Sequence, residues 1–142
     1  MPEKATLRRA KENMREGKAP STAAGEFVRE EIEHVRQGKH GVRSPQQAIA
    51  IGLSKARRAG IPLKPPARGK AKASTRKKAE RDYEKGRARK TKTSRKRSQA
   101  REAALKREPR STASHKALSR QVRSAAKRRN RRTTASSARR AA

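Results

Sequence analysis

The carboxylates of this chain are concentrated at one end, and this asymmetry limits what the chain can fold into. Seven of its 12 acidic residues lie within the first 33 residues, where seven Lys and Arg balance them. Residues 67–142 contain 29 Lys and Arg against five acidic residues. A segment that repels itself so strongly is not expected to be stable as a compact body without a polyanion. The sequence therefore predicts an N-terminal segment that folds and a C-terminal segment that binds a polyanion.

The apolar content sets a second limit. Hydrophobic residues make up 30% of the 142 positions and charged residues 39%, with one Phe, one Tyr and no Trp. A net charge of +31 with so few apolar residues is typical of chains near the disordered class, so any folded unit must be small. The absence of cysteine excludes disulfides, thiolate zinc sites and thiol catalysis.

No apolar run approaches the length needed to span a bilayer, and the N-terminus lacks the hydrophobic segment of a signal peptide. We therefore expect no membrane partner and a cytoplasmic location.

Two helices are predicted in the first 38 residues. Residues 3–16 are strong helix formers that Gly17 ends. A second helix has Ser21 or Thr22 as its N-cap and ends at Gly38. Its predicted core face comprises Ala24, Phe27, Val28, Ile32 and Val35, and its opposite, solvated face comprises Arg29, Glu30, Glu33 and Arg36.

A third helix carries the sharpest local signal. Ser44-Pro45-Gln46-Gln47 is a capping box with proline at the first helical position. The apolar stripe that follows includes Gly52, which permits close approach of a second helix, and Gly60 and Pro62 end the helix. We predict an all-α fold, with a small helical module of two to three helices over residues 1–66.

Residues 67–142 are predicted to form a polycationic tail that is disordered or marginally helical. Weak helical tendency covers 75–85 and 98–107, and a further helix, with Ser114 or Ser111 as its cap, has a stripe of Leu118, Val122 and Ala125. Isolated in water, such helices are marginal.

Sites for catalysis or metal binding are weakly indicated. Glu30 and His34 lie one helical turn apart and His40 follows in a loop, but zinc needs three or four convergent ligands and no third strong ligand is in register. Glu30 and Glu33 lack the apolar pocket that would separate the pKa values of a general acid and base. No phosphate-binding loop motif is present. We expect no enzyme activity, no cofactor and no metal.

The charge favours nucleic acid as the partner. Proteins that grip single strands stack bases on aromatic side chains, and here only Phe27 and Tyr83 exist, which favours duplex DNA over RNA. We expect sequence-nonspecific DNA binding or compaction in the nucleoid. The candidate phosphate contacts in the tail are Arg95, Lys96, Arg97, Arg128, Arg129, Arg131 and Arg132, and two more, Lys39 and Arg43, lie in the loop before the third helix.

Three alternatives remain open. The chain could be an RNA- or ribosome-associated basic protein. Residues 45–59 could act as the recognition helix of a helix-turn-helix, with Gln46 and Gln47 reading bases. Residues 20–60 could instead dock a protein partner, with the basic tail as an accessory.

One family resemblance is present. The runs GEFVREEIEHVR (25–36), GKHG (38–41), RS (43–44) and QAIAIGLSKAR (47–57) resemble a family of short, very basic bacterial proteins of unknown function, loosely labelled DNA-binding. The resemblance covers roughly residues 1–65, and SHKALS (114–119) is similar to the C-terminal segment of that family. It implies a bacterial cytoplasmic source and brings no established activity or site.

Overall fold

A computed structural model of the protein describes residues 1–88 and 94–141, and every regular element in this part of the chain is helical. The all-α prediction is thus confirmed. The helices are α1 (Lys4–Arg15), α2 (Pro20–Arg36), α3 (Pro45–Arg58), α4 (Ala73–Arg87), α5 (Arg95–Lys106) and α6 (His115–Ala141), with a one-turn 3₁₀ helix at Ser111–Ala113.

The helix ends follow the local chemistry of the sequence. Gly17 and Gly38 take positive φ values of 72° and 76° just after α1 and α2, a conformation that glycine reaches without steric cost. Ser44 caps α3, because its hydroxyl accepts a hydrogen bond from the Gln47 amide at 3.2 Å. The predicted N-cap of α2 is wrong: the helix begins at Pro20, after Ala19, and no side chain caps it.

Phe27 is the centre of the first core cluster. It is fully buried, together with Ala10 of α1, Ala24 of α2 and Ala56 of α3. Small residues let these helices approach closely. At Gly52 of α3, an added Cβ would lie 2.6 Å from the Val28 Cα, so only glycine fits this crossing. The predicted role of Gly52 is confirmed.

A second core cluster joins the module to the distant C-terminal half. Val35 of α2, Val42 of the following loop and Ala48 of α3 are fully buried with Ala113 of the 3₁₀ helix. Leu105 and Pro109 contribute backbone carbonyls that accept hydrogen bonds, both at 2.9 Å, from the amides of Gly41 and Val42. Residues 105–113 therefore cover the loop between α2 and α3.

The predicted size of the module is wrong. Helix α4 packs on α3, with Ala79 and Asp82 buried, and the backbone of Gly86 lies against the Arg57 carbonyl. A largely disordered tail is also wrong for residues 67–88 and 94–141, which are mostly helical. These predictions are wrong because the net charge of the tail does not show where its few acidic residues lie. Two of those residues lie where the tail packs against the module. Asp82 pairs with Arg58 and Glu108 with Arg43.

Membrane insertion is not indicated by the helices: among residues 1–88 and 94–141, none combines the length and apolarity that a bilayer crossing requires.

Candidate nucleic-acid interface

Among the residues that the structure describes, helix α6 carries the largest set of cations that make no ion pair. It begins after Ser114, whose hydroxyl accepts a hydrogen bond from the Ala117 amide at 3.3 Å, and this confirms one of the two predicted caps. Its 27 residues extend about 40 Å at 1.5 Å per residue. The sequence of α6 contains no Asp or Glu, so nothing within the helix can neutralise its Lys and Arg.

The cations of α6 are ordered along the helix axis. Successive spacings of three or four residues place five of them on one face, because such spacings return to the same side of a helix. These are Lys116, Arg120, Arg123, Lys127 and Arg131, all exposed. We call this set the basic stripe. The half-buried residues Leu118 and Ala125 lie on the other side of the helix.

The beginning of α6 is fixed to the body of the protein, by which we mean α1 to α4 and the covering segment 105–113. Arg36 of α2 donates a hydrogen bond to the Ala113 carbonyl at 2.9 Å, and Gln46 of α3 bonds to Gln121 of α6. From Lys127 to Ser137, every residue of α6 is exposed. The helix is thus anchored at one end and open to solvent over its second half.

The predicted phosphate-binding residues fall into three places. Arg128, Arg129, Arg131 and Arg132 are exposed on the second half of α6. Arg95, Lys96 and Arg97 are exposed on the first turn of α5. That turn has no side-chain cap and no acidic residue, and the helix as a whole has no buried residue. Within the described part of the chain, α5 and α6 do not pack against each other. The two groups are therefore separate.

Lys39 and Arg43 lie in the third place, the loop between α2 and α3, where each has an acidic partner. Lys39 Nζ is 3.1 Å from Glu3 Oε1, and an Arg43 guanidinium nitrogen is 3.2 Å from Glu108 Oε1. The loop amides of Gly41 and Val42 donate to carbonyls of the covering segment. Phosphate contact by Lys39 and Arg43 stays a prediction.

Half of the Lys and Arg in residues 1–66, unlike those of α6, are partnered by carboxylates. Arg9 pairs with Glu26 at 2.8 Å, and Lys55 pairs with Glu31 at 2.6 Å. Along the described part of α6 there is no salt bridge. The sequence reasoning missed four members of the basic stripe, although the 116, 120, 123, 127, 131 spacing was the signal that could have found them.

Two carboxylates of α2 are buried rather than solvated. Glu30 and Glu31 are 4% and 1% exposed, so the prediction of a solvated Glu30 is wrong. Glu31 lies one helical turn from both Phe27 and Val35, in phase with the apolar face, and this phase was the available sequence signal. Lys55 of α3 compensates the burial: its ammonium is also 3.8 Å from Glu30 Oε1.

The alternative functions differ in how they fit the geometry. Gln46 bonds to Gln121, and Gln47 accepts a hydrogen bond from the Arg43 amide at 2.7 Å, so both proposed base-reading side chains already have partners. The apolar faces of residues 20–60 pack against α1, α4 and the segment that ends at Ala113. Comparison of the chain with family models, with curated proteins and with solved structures found no match.

Proposed function

We propose that this protein binds duplex DNA without sequence preference, through phosphate contacts, and compacts it in the bacterial nucleoid. The observation that carries the proposal is α6: a helix about 40 Å long, without acidic residues, whose exposed cations make no salt bridge along its described length. In residues 1–66, by contrast, seven of the 14 Lys and Arg pair with carboxylates. Among the described residues, cations without an acidic partner are therefore most numerous on α6.

The geometry of the basic stripe suits a sequence-blind contact. Its members are three or four residues apart, which is about 4.5–6 Å along the helix axis. Duplex DNA presents one phosphate charge per about 1.7 Å of its own axis. A phosphate is therefore close to each cation wherever the helix lies along the duplex, and binding does not require contact with the bases.

The aromatic residues favour duplex DNA over single-stranded targets. Phe27 is fully buried in the core, and Tyr83 lies beside Arg87, whose guanidinium carbon is 5.6 Å from the ring centroid. Neither forms part of the basic stripe. Because single-strand binding relies on exposed aromatic platforms, a phosphate-only contact with a duplex is the better match.

The first turn of α5 supports an anionic partner as well. Three consecutive cations, Arg95, Lys96 and Arg97, lie at the positive end of the helix dipole. This placement of like charges is unfavourable in the free protein. A phosphate at this turn reverses the sign of that interaction and meets the free amides of the helix start. This group is a second, separate point of contact.

The test is neutralisation of the basic stripe in the full-length chain. The variant replaces Arg120, Arg123, Lys127 and Arg131 by Gln, and binding to a fluorescent duplex is measured by anisotropy across a salt series. Loss of four phosphate contacts is expected to lower the magnitude of the log–log salt slope by about 3.6. Affinity at low salt is expected to fall by at least about tenfold.

A matched control removes the same charge elsewhere. Lys4, Arg8, Lys11 and Arg15 of α1 are replaced by Gln, so the net charge falls equally while α6 is intact. We expect this variant to bind almost as the parent does. Equal losses in both variants would reject α6 as the binding element. Competition with structured RNA at matched salt separates the DNA proposal from the RNA alternative, since preferential release by RNA would favour the latter.

A further inference from the structure

A histidine and carboxylate cluster lies away from the basic stripe, where α2 meets the loop that follows it. Glu31 and His34 are three residues apart on one face of α2, and His40 reaches them from the loop. One donor atom from each of the three lies within 4.8 Å of the other two. Both histidine side chains are 13% exposed, and that of Glu31 is 1% exposed.

The carboxylate of Glu31 is only half satisfied. Lys55 donates to Oε2 at 2.6 Å, whereas Oε1 is buried and accepts no hydrogen bond from any described residue. A buried, unpaired carboxylate oxygen is costly, and each such group in a folded protein requires an explanation. The atom nearest to it in the cluster is His40 Nε2, at 3.1 Å.

The neutral tautomer of His40 makes this approach unfavourable, and only a positive charge, either a second proton on the ring or a metal ion, relieves it. His40 Nδ1 is 3.0 Å from the Gly41 carbonyl oxygen, which can only accept, so Nδ1 carries the proton. In the neutral ring, Nε2 then directs a lone pair toward the Glu31 carboxylate. A metal ion between the two atoms turns this repulsion into two bonds. A ligating histidine that donates its other N–H to a backbone carbonyl is the usual arrangement at metal sites.

The surrounding charges also favour a cation. Three carboxylates, Glu3, Glu30 and Glu31, meet two lysines, Lys39 and Lys55, so one negative charge is left over when both imidazoles are neutral. Glu30 Oε1 is a second buried oxygen that accepts no hydrogen bond within the described residues. A divalent ion supplies the missing positive charge inside a protein that is otherwise strongly basic.

We propose that Glu31, His34 and His40 form a binding site for one divalent transition-metal ion of the zinc class. Two imidazoles and a carboxylate are a donor set that zinc uses in proteins. Tetrahedral zinc with bonds of about 2.0–2.1 Å sets its donors about 3.3 Å apart. The cluster, at 4.8 Å or less, therefore closes by about 1.5 Å at most.

Glu3 completes the arrangement from the start of the chain. Its Oε1 lies 2.8 Å from His34 Nε2, and its backbone amide donates to Glu30 Oε2 at 3.1 Å. Glu3 thus either orients His34 from outside or provides a fourth ligand. The ion would join residue 3, α2 and the following loop.

The experiment uses the full-length protein after treatment with a chelator. Zinc is titrated by calorimetry, and Co²⁺, which shows visible absorption when bound by imidazole and carboxylate, serves as the spectroscopic probe. We expect one equivalent to bind, to give an absorption band and to raise the melting temperature. Absence of binding and of the band at millimolar Co²⁺ would overturn the proposal.

Variants locate the ion. His34→Gln and His40→Gln are each expected to weaken Zn²⁺ binding by at least about tenfold. His115→Gln, which removes the histidine outside the cluster, is expected to leave it within about twofold. If the first two variants lose their helical circular dichroism signal, the metal site is tested by NMR on the wild-type protein. Co²⁺ must then shift or broaden the imidazole signals of His34 and His40 before that of His115, and the opposite order would refute the site.

Discussion

At the scale of single residues, the few carboxylates decide which parts of a basic chain can pack. Asp82 of α4 is the clearest case. It is 7% exposed and accepts hydrogen bonds from the Ser54 hydroxyl at 2.7 Å and from Arg58 at 2.8 Å. Burial alone would raise its pKa, but these bonds and the charges of Arg58 and Arg81 outweigh it, so the pKa of Asp82 lies below its ordinary value.

The shift of Asp82 gives a prediction for stability against pH. Because folding lowers its pKa, the stabilisation is present above the unfolded value of about 3.9 and is lost as pH falls through the folded value. Asp82→Asn is expected to lower the free energy of unfolding by about 2 kcal/mol at pH 7. This difference should shrink as the pH drops below about 4.

Urea unfolding followed by circular dichroism from neutral to strongly acidic pH measures the effect. Glu102→Gln provides the control, since Glu102 pairs with Lys106 on the exposed surface of α5 and should matter little. A difference between wild type and Asp82→Asn that does not vary with pH would contradict the assigned role.

At the scale of elements, two mid-helix glycines test how α2 and α3 pack. Gly52 lies against the Val28 backbone, where an added Cβ would come within 2.6 Å of Cα. Gly25 of α2 has nothing within 4 Å of such a Cβ. Overpacking at Gly52→Ala is expected to cost about 1–3 kcal/mol. Gly25→Ala is expected to gain about 0.5–1 kcal/mol, because alanine is the better helix former.

Thermal unfolding of the two variants distinguishes local propensity from helix contact. The same chemical change should move the melting temperature in opposite directions at the two positions. Stabilisation by both alanines would show that α2 and α3 do not meet closely at Gly52.

Helix ends were the elements most open to prediction, because their signals are local. The Ser44 cap and the glycine stops after α1 and α2 needed only their neighbours in sequence. The docking of residues 73–88 and 105–113 was not predictable in this way. It depends on contacts across tens of residues, such as Asp82 with Ser54 and Arg43 with Glu108, which net charge and helical periodicity do not report. The same limit hid the burial of Glu31, whose partner Lys55 lies on another helix.

At the scale of the whole molecule, residues 1–66 pair half of their cations with carboxylates, whereas the described cations of α6 are all without an ion pair. The module predicted for residues 1–66 extends past that limit, since α4 and the segment around Ala113 cover its surface. The basic stripe begins where this cover ends. Stability and nucleic-acid affinity should therefore respond to different truncations.

Two shortened chains test this division. A chain that ends at Ala126 retains the body and loses seven Lys and Arg, among them Lys127 and Arg131 of the basic stripe. It should melt close to the parent temperature, while the magnitude of its DNA salt slope falls by at least about 2. A chain that ends at Pro66 loses the contacts of α4 and Ala113 and should melt well below the parent. Anisotropy and circular dichroism measure the two properties. Full DNA affinity in the Ala126 chain would contradict the proposed role of α6.

The contact of Val42 with Ala113 also has a consequence for synthesis. Its two partners are separated by about 70 residues, which a ribosome adds in about 4–14 seconds at usual rates. Until then the pocket around Val42 stands open on the growing chain. The segment that closes it leads straight into the basic helix, so the body is completed only when nearly the whole chain has been made.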